Sequence, residues 1–253
     1  MRILNLDLDF FQDDIKHFCT DEKNITDNSI KPWSEDKVIK YLEENLRLSR
    51  NNKVRGKIVK HHDEAFYFWR ELILNKELEV PFDLVHVDAH SDLGFGGTGP
   101  QYITTEFLHL PLDKRFYPEN LGKDGYSMNF SDYMLYAIGC NWIKRIDFVT
   151  NPKWDYDDLS IVNFKNFDIN CGILQLKKYE RGMNLAHELQ YVNTYADIVP
   201  VGLEMEVPFN IIKCEDYING EEFDFVVLSI SPGYVHKDTM NLIGIIREYI
   251  EEI

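Results

Sequence analysis

The sequence predicts an α/β fold built on a predominantly parallel sheet, and three observations carry that prediction. Short apolar runs alternate with amphipathic segments along the chain. Most gaps between the runs reach the dozen or more residues that a parallel crossover needs. Three of the runs end in clusters of Asp and His, and ligands of open parallel sheets bind outside the carboxyl ends of the strands.

Arg2 to Leu8 reads as the first strand. Ser34 is positioned to cap a helix that carries Val38, Ile39, Leu42 and Leu46 at helical spacing, with Trp33 before it as a hydrophobic staple. Lys57 to Lys60 reads as the second strand and ends at His61-His62. Asp63 can cap the next helix, which holds Phe66, Trp69, Ile73 and Leu74. Phe82 to Asp88 is the third strand. Tyr133 to Ile143 has a helical pattern, and Arg145 to Thr150 that of a strand. Asn151 to Ile173 shows no single period. Met183 to Val192 reads as helix, Val199 to Val207 and Phe223 to Ile230 as strands, and Asp238 to Glu251 as a closing helix. Only the gap between Val207 and Phe223 is too short and irregular for a crossover helix.

With 253 residues, 44 % hydrophobic and 28 % charged, the chain has the composition of a soluble globular protein, here read as one domain over 1–253. No apolar run approaches the roughly 20 residues needed to span a bilayer. Its start is strand-like and lacks a basic region followed by an apolar stretch, which makes the cytoplasm the default location. The net charge of −16 argues against nucleic acid as a partner and suits a cationic substrate, though acidity also serves solubility. The cysteines at 19, 140, 171 and 214 form no metal-binding or redox pair and are expected to be buried small hydrophobes.

The chemistry lies at the strand ends. Strand one closes in Asn5-Leu-Asp-Leu-Asp-Phe-Phe11, strand two in Lys60-His-His-Asp-Glu-Ala65, and strand three in His86-Val-Asp-Ala-His-Ser-Asp92. Asp7 lies between Leu6 and Leu8, and Asp88 between Val87 and Ala89. A carboxylate buried in such a run is normally paired or bound to metal. Asp7, Asp9, Asp88 and Asp92 supply four carboxylates; His90 and one of His61 or His62 supply two imidazoles. That set suits two divalent cations with bridging carboxylates, and its oxygen-rich character fits Mn²⁺ better than thiolate-seeking metals, with Zn²⁺ and Fe²⁺ as alternatives.

Asp88-Ala-His-Ser-Asp92 resembles the Asp-x-His-x-Asp signature of the arginase and deacetylase superfamily, and Asp7-Leu-Asp9 its second carboxylate pair. The order is unusual, because the Asp-x-Asp strand here precedes the other. In that order the motifs resemble an arginase-like family that includes the peptide arginases, over residues 3 to 97. The resemblance implies a three-layer α/β/α fold and a two-metal hydrolase that converts arginine residues of a peptide to ornithine and urea. It implies Asp7 and Asp88 as bridging ligands, His62 and Asp92 completing one metal site, and His90 and Asp9 the other. It also implies a glutamate that holds the guanidinium. Glu206, within Glu204-Met-Glu-Val-Pro208, is the candidate, against a strand with glutamates facing water. For the acid/base histidine, His109 is the candidate, against a core position. An amide deacetylase on the same scaffold and a non-catalytic metal- or peptide-binding protein are the competing readings.

Other motifs carry less. Ser229-Ile-Ser-Pro-Gly-Tyr234 could line a substrate mouth or form an ordinary turn. His86 reads as a support for the ligands or a core residue. Gly94-Phe-Gly-Gly-Thr-Gly-Pro100 lacks the Gly-Lys-Ser/Thr ending of a phosphate loop and reads as a sharp turn or mobile lip beside the metals. His187-Glu188 lacks the second histidine of a zinc peptidase helix.

Overall fold

The computed structural model describes residues 1–18, 23–26, 29–94, 99–118, 128–156, 158–188, 190–191 and 195–253. Its strands are β1 (Arg2–Asp7), β2 (Val54–Val59), β3 (Phe82–Asp88), β4 (Ile143–Thr150), β5 (Ile173–Leu174), β6 (Lys177–Lys178), β7 (Gly202–Leu203), β8 (Val207–Lys213), β9 (Phe225–Ser229) and β10 (Ile250–Glu252). Its α-helices are α1 (Glu35–Lys40), α2 (Glu64–Leu74), α3 (Gly99–Thr105), α4 (Leu112–Arg115), α5 (Tyr133–Gly139), α6 (Leu185–Glu188) and α7 (Leu242–Arg247). Eight strands form one sheet in the order β10-β2-β9-β1-β3-β4-β8-β5, parallel throughout except for β5. β6 and β7 form a separate antiparallel ribbon.

Strand alternation divides the core in two. Ile3, Leu84, Phe225 and Val227 face one side of the sheet and pack under Phe66, Trp69 and Leu72 of α2 and Tyr133 to Ile138 of α5. Leu4, Leu6, Val85, Val87, Val226 and Leu228 face the other, under Val38 of α1 and Leu242 and Ile246 of α7. Both faces of the central strands are covered, so their sequences are nearly continuous apolar runs. The arrangement is consistent with a three-layer α/β/α fold. Large rings fill the first layer: Phe66 stacks on Trp142 at 4.5 Å, and Trp69 meets Phe82 edge-on at 5.6 Å. Burying each such side chain contributes roughly 1.5–3 kcal/mol.

Ser34 caps α1 as expected, accepting from the Lys37 N–H at 3.4 Å. The Trp33 ring packs against Phe10, Phe11 and Tyr41. Asp63 makes no side-chain cap. Glu64 reaches back instead, and its Oε1 accepts from the His61 N–H at 2.9 Å.

Several expected elements are corrected. The expected strand over 199–207 is the short β7 and the start of β8. Val199, Val201 and Leu203 are exposed and have no core to enter. The helix expected over 183–192 is the single turn α6, with residues 189 and 192 outside the described set. The closing helix ends at Arg247, where Tyr249 and Ile250 turn into the core and β10 pairs with β2. The irregular segment after Asn151 includes three 3₁₀ turns between Ile161 and Cys171. Buried Lys177 pins it, donating to the carbonyls of Val162, Phe164 and Gln175 at 3.1, 2.6 and 3.1 Å. Cys140 and Cys214 are buried, Cys171 is partly exposed, and Cys19 lies outside the described residues. Among the described residues no helix is long and apolar enough to cross a membrane.

Gly56 on β2 faces the backbone of β9, and a Cβ there would lie 2.1 Å from the Val226 carbonyl oxygen. Gly56→Ala is expected to cost about 1–3 kcal/mol, read by urea denaturation. Asp132 at the start of α5 is fully buried, and burial, with Asp63 adding to it, pushes its carboxyl up to about 7. A carboxyl raised by folding favours the native state below its unfolded pKa near ~3.9, and that contribution is lost as pH rises through the folded value. Asp132→Asn is therefore expected to gain stability relative to wild type between pH 4 and 8, by on the order of 1–2 kcal/mol in paired urea titrations.

Candidate metal centre

Alternation along the central strands aligns the first ligands. On β1, Ile3, Asn5 and Asp7 share a face; on β3, Leu84, His86 and Asp88 share the same one. Each row runs from apolar to polar toward the carboxyl end. There Asp7 turns the chain into a 3₁₀ turn, its Oδ1 accepting from the Asp9 N–H at 3.0 Å. Asp88 makes the equivalent contact where the chain bends after β3, accepting from the His90 N–H at 2.8 Å. These turns return Asp9 and His90 to the site, which explains the i, i+2 spacing of both motifs.

His62 arrives from the turn between β2 and α2. Because β9 lies between β2 and β1, its ring must pass the end of β9, where Ser229 and Ser231 leave room. His62 Nδ1 lies 3.0 Å from Asp7 Oδ2, 3.0 Å from Asp88 Oδ2 and 2.8 Å from Asp92 Oδ2. His90 Nδ1 lies 3.1 Å from Asp9 Oδ2 and 3.8 Å from Asp88 Oδ1. Asp92 and Ser231 both hold left-handed backbone conformations, φ 54° and 47°. Such positions carry a cost that surrounding structure must offset, and they concentrate at functional sites. The Ser231 hydroxyl donates to Asp7 Oδ2.

A single imidazole nitrogen cannot satisfy three carboxylates, but a cation beside it can. Cation–ligand bonds of about 2.1 Å at right angles put neighbouring ligand atoms ~3.0 Å apart, the spacing around His62 Nδ1. Two sets of ligand atoms, each within 4.8 Å of one another, comprise His62, His86, Asp88 and Asp92, and Asp9, Asp88 and His90. Asp88 belongs to both. Asp9 Oδ1, Asp88 Oδ2 and Asp92 Oδ2 are buried and accept no hydrogen bond. These orphaned oxygens fit a divalent cation.

The titration behaviour shows the same need for positive charge. Burial, then Asp7 and Asp88, hold Asp9 well above the usual carboxylate range. Burial and Asp88 push Asp92 up to about 7. Burial opposes ionisation of Asp88 too, but His62 outweighs it and draws Asp88 down. Burial disfavours the cations of His62 and His90, yet Tyr133, Asp92 and Asp7 raise His62 well above the usual value, and Asp9 and Asp88 raise His90. A bound cation supplies that charge without protons. His86 behaves differently. Burial lowers it to about 4, so the ring is neutral, and its Nε2 donates to the His90 carbonyl at 3.1 Å. It braces the loop that carries His90 and Asp92.

The cluster floors a cavity of about 250 Å³ whose walls include His17, Phe18, Phe130, Asp158, Ser231 and Tyr234. Tyr234 meets His90 at 5.0 Å and Phe130 at 5.8 Å. Asp158 Oδ2 accepts from the Ser91 N–H, and its Oδ1 accepts from Trp154 Nε1 at 2.9 Å. Asp7, Asp9, His62, Asp88, His90 and Asp92 are thus brought together, and Ser231 and Tyr234 line the same cavity. His61 does not line this cavity and lines a neighbouring one instead.

Two expected residues are not brought in. Glu206 precedes β8, which runs parallel to the central strands, so it sits at the opposite end of the sheet from the cluster; it is half-exposed and pairs with Lys165 at 2.7 Å. Glu204 is taken by Arg115 and Lys178. His109 Nε2 lies 2.6 Å from the Tyr179 carbonyl oxygen, a backbone tie away from the cavity. Residues 95–98 of the glycine-rich run lie outside the described residues; Gly94, at φ 81°, ends the described loop. Sequence reasoning missed His17, Phe130 and Asp158, which carry no motif; Asp158 lies in the segment without a period. The chain matches no protein-family model and shows no significant similarity to curated proteins.

A buried His/Asp cluster that could hold metal ions is therefore in place. Because Asp88 is the residue common to both ligand sets found among the described residues, Asp88→Asn is expected to abolish cation retention, whereas Asp9→Asn removes one set only. Elemental analysis after dialysis against Mn²⁺ checks this: bound metal in the Asp9 variant should fall between those of wild type and the Asp88 variant.

Proposed function

We propose that this chain is a dinuclear metal-dependent hydrolase, read most closely as a peptide arginase that converts arginine residues of a peptide to ornithine with release of urea. The observation that carries this reading is the convergence of three separate strand-end motifs into one buried acid–imidazole cluster at the floor of an open cavity. In this reading His62, Asp88 and Asp92 would hold one divalent cation and Asp9, Asp88 and His90 another, with Asp7, whose oxygens accept from the Asp9 N–H and the Ser231 hydroxyl, beside them; Mn²⁺ suits this oxygen-rich set. Such a pair, when bound, would lower the pKa of water and so supply hydroxide near neutral pH.

The chain's own residues do the rest. Ser231 and the Asp9 and His90 amides fix the directions of the Asp7 and Asp88 oxygens, so the cage is set before substrate enters. His90 Nε2 donates to the Lys16 carbonyl at 3.1 Å, leaving Nδ1 for the cage. Phe130 and Tyr234 meet at 5.8 Å and give the cavity an apolar wall. Asp158 takes the cation-holding role expected of Glu206: both its oxygens are already held, and each retains a lone pair for a guanidinium N–H. Hydrolysis breaks the bond from the guanidinium carbon to the nitrogen that stays on the side chain, and that nitrogen takes up a proton. His17, the imidazole lining the cavity outside the cage, serves as its donor in this reading. The charge of −16 favours approach of a basic peptide.

Incubation of arginine-containing peptides with the Mn²⁺-loaded protein is expected to give a loss of about 42 Da per modified residue, the difference between arginine and ornithine, with equimolar urea. Release of a carboxylic acid from an acylated amine instead would assign the site to amide deacetylation. Asp158→Asn is expected to raise KM at least about tenfold with a smaller change in kcat, as loss of a ground-state contact to the cation requires.

A further inference from the structure

Asn5 is fully buried on the central strand β1, between Leu4 and Leu6. A carboxamide in that setting is costly unless its hydrogen bonds are met. Its side chain touches three polar groups from three elements: His62 Nε2 at 2.9 Å, His86 Nδ1 at 3.2 Å and the Tyr133 hydroxyl at 2.6 Å. All three lie on Nδ2, which has two hydrogens, while Oδ1 is buried without a donor. The ring of His62 is otherwise held by contacts with Tyr133 at 5.1 Å and His86 at 5.4 Å.

An imidazole that lends the Nδ1 lone pair to a cation carries its proton on Nε2, and that proton needs an acceptor. His90 meets the requirement with the Lys16 carbonyl. For His62 the group at Nε2 is the Asn5 amide, whose oxygen and nitrogen exchange places by a half-turn about the Cβ–Cγ bond. We propose that Asn5 is the positioning residue of His62: when the cage holds a cation, Asn5 Oδ1 accepts the Nε2 proton and fixes the ring with Nδ1 toward Asp7, Asp88 and Asp92. The Tyr133 hydroxyl can donate or accept, so it serves either orientation. The exchange reverses the hydrogen bond to His62 and gives up the longer one to His86 Nδ1. This inference rests on the metal-centre reading but not on the identity of the substrate.

The test uses Mn²⁺ titration calorimetry on wild type, Asn5→Leu and Asn5→Asp, with long-range ¹H–¹⁵N spectra of the histidine rings in the Zn²⁺-loaded protein. Asn5→Leu is expected to weaken cation binding about 10–100-fold, the range for losing such a supporting hydrogen bond, while Asn5→Asp, which keeps an acceptor, restores it. The wild-type spectrum is expected to show His62 protonated on Nε2, a readout that needs no variant to fold. Binding in Asn5→Leu within twofold of wild type, or His62 protonated on Nδ1 in the loaded protein, overturns the inference alone. A wild type that binds neither cation overturns the metal-centre reading and the inference with it. Weakened binding in Asn5→Leu that Asn5→Asp restores supports it whether or not any arginine peptide is hydrolysed.

Discussion

Four carboxylates share one small volume at the carboxyl ends of β1 and β3, and all but removing them from water is the constraint on which the rest of the site depends. Charges of one sign at such separations repel strongly where solvent cannot screen them. The neighbourhood answers with every available positive or donating group. His62 and His90 are driven toward their cationic forms, backbone amides turn inward to Asp7 and Asp88, and Ser231 donates to Asp7. Three carboxylate oxygens nonetheless remain without a donor. A site that resists its own charge in this way is predisposed to a divalent cation, and the geometry around His62 Nδ1 has the dimensions of a coordination shell.

Much of this was legible in the sequence because local pattern and local structure coincide there. Phe82 to Asp88 is an apolar run that ends in a carboxylate, and β3 has those bounds. Asp-x-Asp and Asp-x-His placed ligands on one face, and the Asp turns keep the second residue of each pair in the site. Burial of Trp69, Phe66 and Leu42 follows from helical spacing and was equally readable. The failures came where context overrode pattern. The alternating apolar residues around Val201 have the period of a strand but no layer above them. Asp238 to Glu251 has helical composition, yet Ile250 finds a place beside β2, and strand pairing wins.

The placement of Glu206 away from the cluster has a different origin. Its surroundings look like a cation-binding glutamate, but whether a residue near a strand reaches the site depends on which end of the strand it occupies, and in a parallel sheet only the carboxyl end serves. Glu206 precedes its strand. Asp158, which follows β4, lies on the correct side, and no local motif marks it. Direction along the strand was thus more informative than resemblance in the neighbouring residues.

β9 stands between β2 and β1 in the sheet. All six cage residues belong to the first 92 positions, yet β2 and β1 are held one strand apart by a segment that emerges much later; Ser231 and Asp7, in contact, are 224 residues apart in sequence. A nascent chain that has reached β8 already owns every ligand. If β2 then zipped directly onto β1, His62 would sit about 4.8 Å from its proper station, one inter-strand spacing. The cage can reach its final dimensions only when β9 inserts as a spacer between two strands made long before it. Completion of this N-terminal cluster is thus gated by a late long-range step, of the kind that slows folding.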